Sequence, residues 1–106
     1  MWETFVFAQL RHREREAGRE RTVFFWRDRT REVDFVVDVG GRVELTEAKW
    51  TELPQATDTG NLGFVRAAIG RSKVTRAQVA CRAPNAYPLG DGFLAAPVVD
   101  LLRSAT

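Results

Sequence analysis

Residues 33–50 read Val-Asp-Phe-Val-Val-Asp-Val-Gly-Gly-Arg-Val-Glu-Leu-Thr-Glu-Ala-Lys-Trp, two runs rich in β-branched and aromatic residues hinged on Gly40-Gly41. A Gly-Gly between such runs predicts a two-residue hairpin. A turn centred there sets Val39 opposite Arg42 and, counting back along both strands, Asp34 opposite Glu47. Side chains two apart on a strand share a face, so Lys49 joins the two carboxylates while Ala48 points the other way. Like charges opposed across a ladder are destabilising unless something offsets them. A divalent cation held by both carboxylates, with Lys49 alongside, removes the conflict. A turn of another length would leave Asp34 and Glu47 apart.

Both faces of this hairpin are apolar. Val36, Val43 and Leu45 share the carboxylate face, and Val33, Phe35, Val37, Val39 and Trp50 lie on the other. A sheet apolar on both sides calls for helices on each. Upstream, residues 2–17 carry apolar positions at helical spacing that give way to charge before Gly18, which predicts a helix ending there. Residues 22–27 read as a strand and Asp28 to Arg31 as a turn. Downstream, Pro54 closes the third strand. A helix follows near 58–69, with Leu62, Phe64, Val65, Ala68 and Ile69 on its buried side and Gly70 as its stop. Residues 74–82 read as a fourth strand, with a short extended piece at Tyr87. Phe93 to Ala96 forms a last strand, and Pro97 opens a terminal helix through Arg103.

A chain of 106 residues supports one domain with a single core. With 44% hydrophobic and 28% charged residues its composition is that of an ordinary globular protein. No apolar run approaches eighteen residues and no signal-peptide pattern opens the chain, so a cytoplasmic protein without membrane attachment is expected. One Cys and one His exclude an internal disulfide and make a zinc site untenable, so any metal would be held by oxygen. Net charge is +2, yet eight arginines crowd residues 11–31 among Glu14, Glu16, Glu20 and Asp28. Such an edge suits phosphates, because the guanidinium fork matches phosphate oxygens and displaces counterions. It also suits an exposed helix end laced with Arg–Glu pairs. His12 reads as solvated and Cys81 as a small core residue. Trp2, Trp26 and Trp50, on three separate elements, read as core or rim packing.

An early helix with an acid, a three-stranded meander carrying Asp34 and then Glu47-Ala48-Lys49, and a following helix and strand resemble the PD-(D/E)XK nuclease-like superfamily. Phe25-Trp26-Arg27-Asp28, Glu32-Val33-Asp34-Phe35-Val36-Val37 and Glu47-Ala48-Lys49 resemble most closely the domain of unknown function at the C-terminus of bacterial and archaeal AAA-type ATPases. The resemblance implies one nuclease-like domain over 1–106, an α/β restriction-endonuclease-like αβββαβ core, with a mixed sheet of four to five strands flanked by helices. It implies Asp34 and Glu47 as Mg²⁺ or Mn²⁺ ligands, the Ala48 carbonyl as a third, and Glu3 as an acid approaching the metal through water. Lys49 would orient or help deprotonate the attacking water, and Arg27, Arg29 and Arg31 would contact nucleic acid, expected to be DNA. Carboxylate and carbonyl oxygens suit these hard cations. Val33 stands where the superfamily's name has proline. The chain has no G-x4-G-K-[ST] phosphate loop, so it is expected to be a fragment of a larger ATPase, or to meet its ATPase in trans.

Two function classes therefore fit the residues. One is a metal-dependent nuclease or nucleic-acid-binding domain, with a homodimer as one source of specificity. The other is a non-catalytic domain that docks on an ATPase or partner protein, with the acids as a structural remnant. In the second case Glu32, facing Lys49 in the same register, would pair the strands without metal.

Overall fold

The hairpin forms as its glycines require. In the structure, a computed structural model that describes residues 2–18, 23–27 and 32–98, Gly40 and Gly41 both take left-handed backbone angles, φ 63° and 88°. Two consecutive positive φ values make the turn whose twist matches that of paired strands, and side chains other than glycine resist them. The register is the expected one: Val39 pairs with Arg42, Asp38 with Val43 and Phe35 with Thr46.

Around this hairpin the element order is α1 (Trp2–Glu16), β1 (Val23–Arg27), β2 (Glu32–Val39), β3 (Arg42–Ala48), α2 (Gly60–Ile69), β4 (Val74–Cys81), β5 (Tyr87–Gly90) and β6 (Phe93–Pro97). This is the αβββαβ order of a restriction-endonuclease-like core, followed by a hairpin. The mixed sheet has six strands in the order β1-β2-β3-β4-β6-β5, more than the four to five expected, because the piece at Tyr87 pairs antiparallel with β6. β1, β2 and β3 form an antiparallel meander. The α2 crossover then makes β3–β4 parallel, and β4–β6 is parallel as well. Pro97 is the last residue of β6 and Val98 directly after it is helical, one residue later than expected; the remainder of the expected terminal helix lies outside the described residues.

Helices cover both faces. On one, Leu62 and Val65 of α2 pack on Val36, Leu45, Ala77, Val79, Cys81 and Phe93. On the other, Val6 and Leu10 of α1 pack on Phe35, Ala48, Ala80 and Ala96. Each fully buried aliphatic side chain contributes about 1.5–3 kcal/mol. Two α2 residues expected inside, Phe64 and Ala68, are exposed. The sheet-facing stripe runs through 62, 65, 66 and 69, and positions 64 and 68 fall off it at 3.6 residues per turn. Arg66 takes the buried place instead. Its guanidinium lies 4.0 Å over the Phe93 ring and binds the Asp91 carbonyl and carboxylate, each at 2.8 Å.

Strict alternation fails once, at Val33. It belongs to the α2-side cluster with Val36 rather than sharing the face of Phe35. Between Phe24 and Trp26 on β1, which pair with Val36 and Val33, β2 contains one residue more than its neighbour. This bulge spans Asp34 and Phe35 and reverses the facing of residues before it.

Candidate functional site

The bulge holds Asp34 against the end of β3. The Ala48 N–H donates to Asp34 Oδ2 at 2.8 Å, and the Asp34 N–H donates to Glu47 Oε1 at 3.3 Å. Each carboxylate is thus pinned by main chain of the opposing strand, so Asp34 and Glu47 meet through these contacts just beyond the last ladder pair, Phe35 with Thr46. Ala48 turns to the α1 side and is buried there. Glu47 is only 7% exposed and turns to the α2 side, where the Asn61 side chain hydrogen-bonds to it. Half-buried Lys49 follows, its N–H donating to the Ala80 carbonyl at 2.9 Å.

Electrostatically the site is under tension. Burial, and then the neighbouring Asp34 charge, push the Glu47 carboxyl up from 4.5 to about 7. Hydrogen bonds from Asp34 and Asn61 and the Lys49 charge only partly oppose this rise. A carboxylate pair that resists full ionisation beside a lysine is the kind of perturbed cluster associated with function. Among the described residues no set of three or more His, Cys, Asp or Glu side chains converges. A cation here would therefore take Asp34 and Glu47 from side chains and complete its shell with main-chain oxygen such as the Ala48 carbonyl, and water. That all-oxygen donor set fits a small hard divalent ion.

The other predicted residues lie elsewhere. Glu3 is exposed on the first turn of α1, where with Trp2, Phe5 and Trp50 it lines a cleft on the α1 side. Arg29 and Arg31 fall outside the described residues, as do the side chains of Arg27 and Glu32. Asp38 accepts the Gly41 N–H at 3.2 Å near the turn, His12 is exposed and Cys81 is buried.

Two features escaped the sequence. Asn61 gave only a faint signal, a polar residue in the first turn of a helix that follows the acid-bearing strand. The other is a buried charge network within the arginine-rich segment. Arg13, 2% exposed, reaches both carboxylate oxygens of Glu44 at 2.6 and 3.2 Å and Glu14 at 2.9 Å. This arginine is a structural clamp between α1 and β3.

These elements define a mixed α/β domain with a strained carboxylate pair and a lysine at one end of a central strand. Residues 1–101 match the family model described as Domain of unknown function (DUF4143), and the chain belongs to that family. No curated protein and no solved structure matches the chain. No helix among the described residues is long and apolar enough to cross a membrane.

Proposed function

We propose that this domain is a metal-dependent nuclease of PD-(D/E)XK type, in which Asp34, Glu47 and the Ala48 carbonyl hold Mg²⁺ or Mn²⁺ at the phosphodiester to be cleaved. The observation that carries the proposal is the reciprocal locking of Asp34 and Glu47 between β2 and β3, with burial and then the Asp34 charge raising the Glu47 carboxyl to about 7. A bound divalent ion supplies Lewis acidity and a more acidic water. Asp34 and Glu47 fix the position of that charge, because main-chain N–H groups prevent either carboxylate from swinging away. Lys49 places a cation beside the pair, suited to orienting the attacking water and neutralising charge gathered on the phosphate. Asn61 orients Glu47 from α2. DNA is the expected substrate, with an ATPase upstream or in trans supplying engagement along it.

Mn²⁺ titration by calorimetry tests this directly, with wild type and Asp34→Asn compared and plasmid nicking followed in the same samples. Binding and nicking in wild type, both lost in the variant, are expected. A folded wild type that takes up no Mn²⁺ would overturn the metal site.

A second reading, a docking domain for an ATPase, draws on Leu53 and Phe64, which are 65% and 42% exposed. Salt separates the two. Phosphate contacts weaken steeply as ionic strength rises, whereas an apolar docking surface holds.

A further inference from the structure

Beside the carboxylate pair, on the opposite side of the β3 end, lies an aromatic cleft lined by Trp2, Glu3, Phe5 and Trp50. The Trp2 and Trp50 rings meet with centroids 5.1 Å apart at 75°, and Phe5 stacks on Trp2 at 5.7 Å. A planar ring laid flat on either tryptophan would therefore present its edge to the other, an arrangement favourable to π-systems. The walls are fixed. The Trp2 indole N–H donates to the Ala80 carbonyl at 3.4 Å, and the Arg82 N–H donates to the Thr51 carbonyl at 2.8 Å, which ties the segment carrying Trp50 to the end of β4. Yet Trp50 remains 65% and Phe5 46% exposed, an aromatic surface left to water.

The charges around the cleft are sorted. Arg82 lies 4.0 Å over the Trp50 ring, with Glu52 at 3.5 Å, so a guanidinium stacks on one face of that wall. Among the described lining residues the one charged group is the Glu3 carboxylate, which repels phosphate but accepts hydrogen bonds from base N–H groups. Three aromatic rings and one acceptor suit a flat heterocycle better than an aliphatic helix face. Lys49 and Trp50 are adjacent in the chain, so the cleft and the carboxylate pair flank the same end of β3.

We propose that this cleft is a stacking site for an unpaired nucleobase of single-stranded nucleic acid, with Arg82 taking the neighbouring phosphate. The proposal rests on the reading that the Asp34–Glu47–Lys49 end of β3 engages nucleic acid. It adds that the bound strand is single-stranded at this point. Stacking on an aromatic side chain is sequence-tolerant and contributes enough that its loss is readily measured.

The test is fluorescence anisotropy of labelled single-stranded and blunt duplex oligonucleotides with the full chain in chelator, for wild type, Trp50→Ala and Trp50→Phe. Trp50→Ala is expected to weaken single-strand binding by about five- to a hundredfold, and Trp50→Phe by no more than about threefold. Wild type is expected to prefer the single strand over the duplex. Mn²⁺ uptake by Trp50→Ala, measured by calorimetry, separates the two proposals. If the variant takes up Mn²⁺ and binds oligonucleotide like wild type, the cleft assignment falls while the metal reading stands. Loss of oligonucleotide affinity in Trp50→Ala supports the cleft even where wild type takes up no Mn²⁺. Equal affinity for single strand and duplex, or no binding of either by wild type, overturns it.

Discussion

Replacing Glu47 by glutamine should make the metal-free protein more stable, by an amount that grows as pH rises from about 4.5 to about 7. The Glu47 carboxyl rises from 4.5 to about 7 on folding, first through burial and then through Asp34. An acid whose pKa is raised by folding holds its proton in the native state after the unfolded chain has released it. Stability therefore falls as pH climbs from about 4.5 to about 7 and then levels off. At about 1.4 kcal/mol per pH unit, that interval amounts to a penalty of ~3 kcal/mol at pH 8. Glutamine carries no such penalty and keeps an oxygen to accept the Asp34 N–H. Urea unfolding in chelator should show Glu47→Gln and wild type alike at pH 4 and the variant more stable by up to ~3 kcal/mol at pH 8. Saturating Mn²⁺ should reverse the order, since an ion bound to the native state alone stabilises it by about 4.1 kcal/mol at a thousandfold excess over Kd and the variant lacks the ligand. A stability difference that is the same at pH 4 and pH 8 would refute the reasoning.

Three further outcomes follow from the same geometry. Because Glu47 must lose its proton to bind a cation, Mn²⁺ affinity measured by calorimetry should drop about tenfold from pH 8 to pH 6, with proton release at the lower pH. Lys49→Ala should abolish nicking while circular dichroism and Mn²⁺ uptake persist, because its side chain acts on the reaction rather than on the fold; undiminished nicking would remove Lys49 from the mechanism. Arg13→Met should cost about 3–5 kcal/mol in denaturant unfolding, because it leaves buried Glu44 and Glu14 without their shared guanidinium.

The hairpin was legible in sequence because two independent signals agree on it: a Gly-Gly pair that few other turns require and a run rich in β-branched and aromatic residues on each side. Asp34 and Glu47 inherit their meeting from that register. The helices were legible as segments, but the facing of α2 was not, since Phe64 and Arg66 exchange the roles that their chemistry suggests. Arg66 is buried because Asp91 and Phe93, distant in sequence, receive its charge and its plane. The Arg13–Glu44 fork is likewise invisible from composition, where Arg13 is one of eight arginines in a charged run. Tertiary partners, not residue type, decide which of them goes inside. The bulge at Asp34 adds one residue to one strand and leaves no mark in a local pattern, and the three tryptophans gave no hint that two of them converge.

Strand β3 also joins two halves of the molecule that differ in how their contacts can be reached during folding. On one side it meets β2 across a two-residue turn, a closure of microseconds that brings Asp34 and Glu47 together almost as soon as the turn forms. On the other it meets β4 only after the whole α2 crossover is in place, a parallel contact of long sequence separation and correspondingly slower closure. The carboxylates thus assemble before the layers that bury them. Their mutual repulsion is slight while water still screens them and strengthens when α2 docks and buries Glu47. The late step in folding is the one that draws a proton back onto the site.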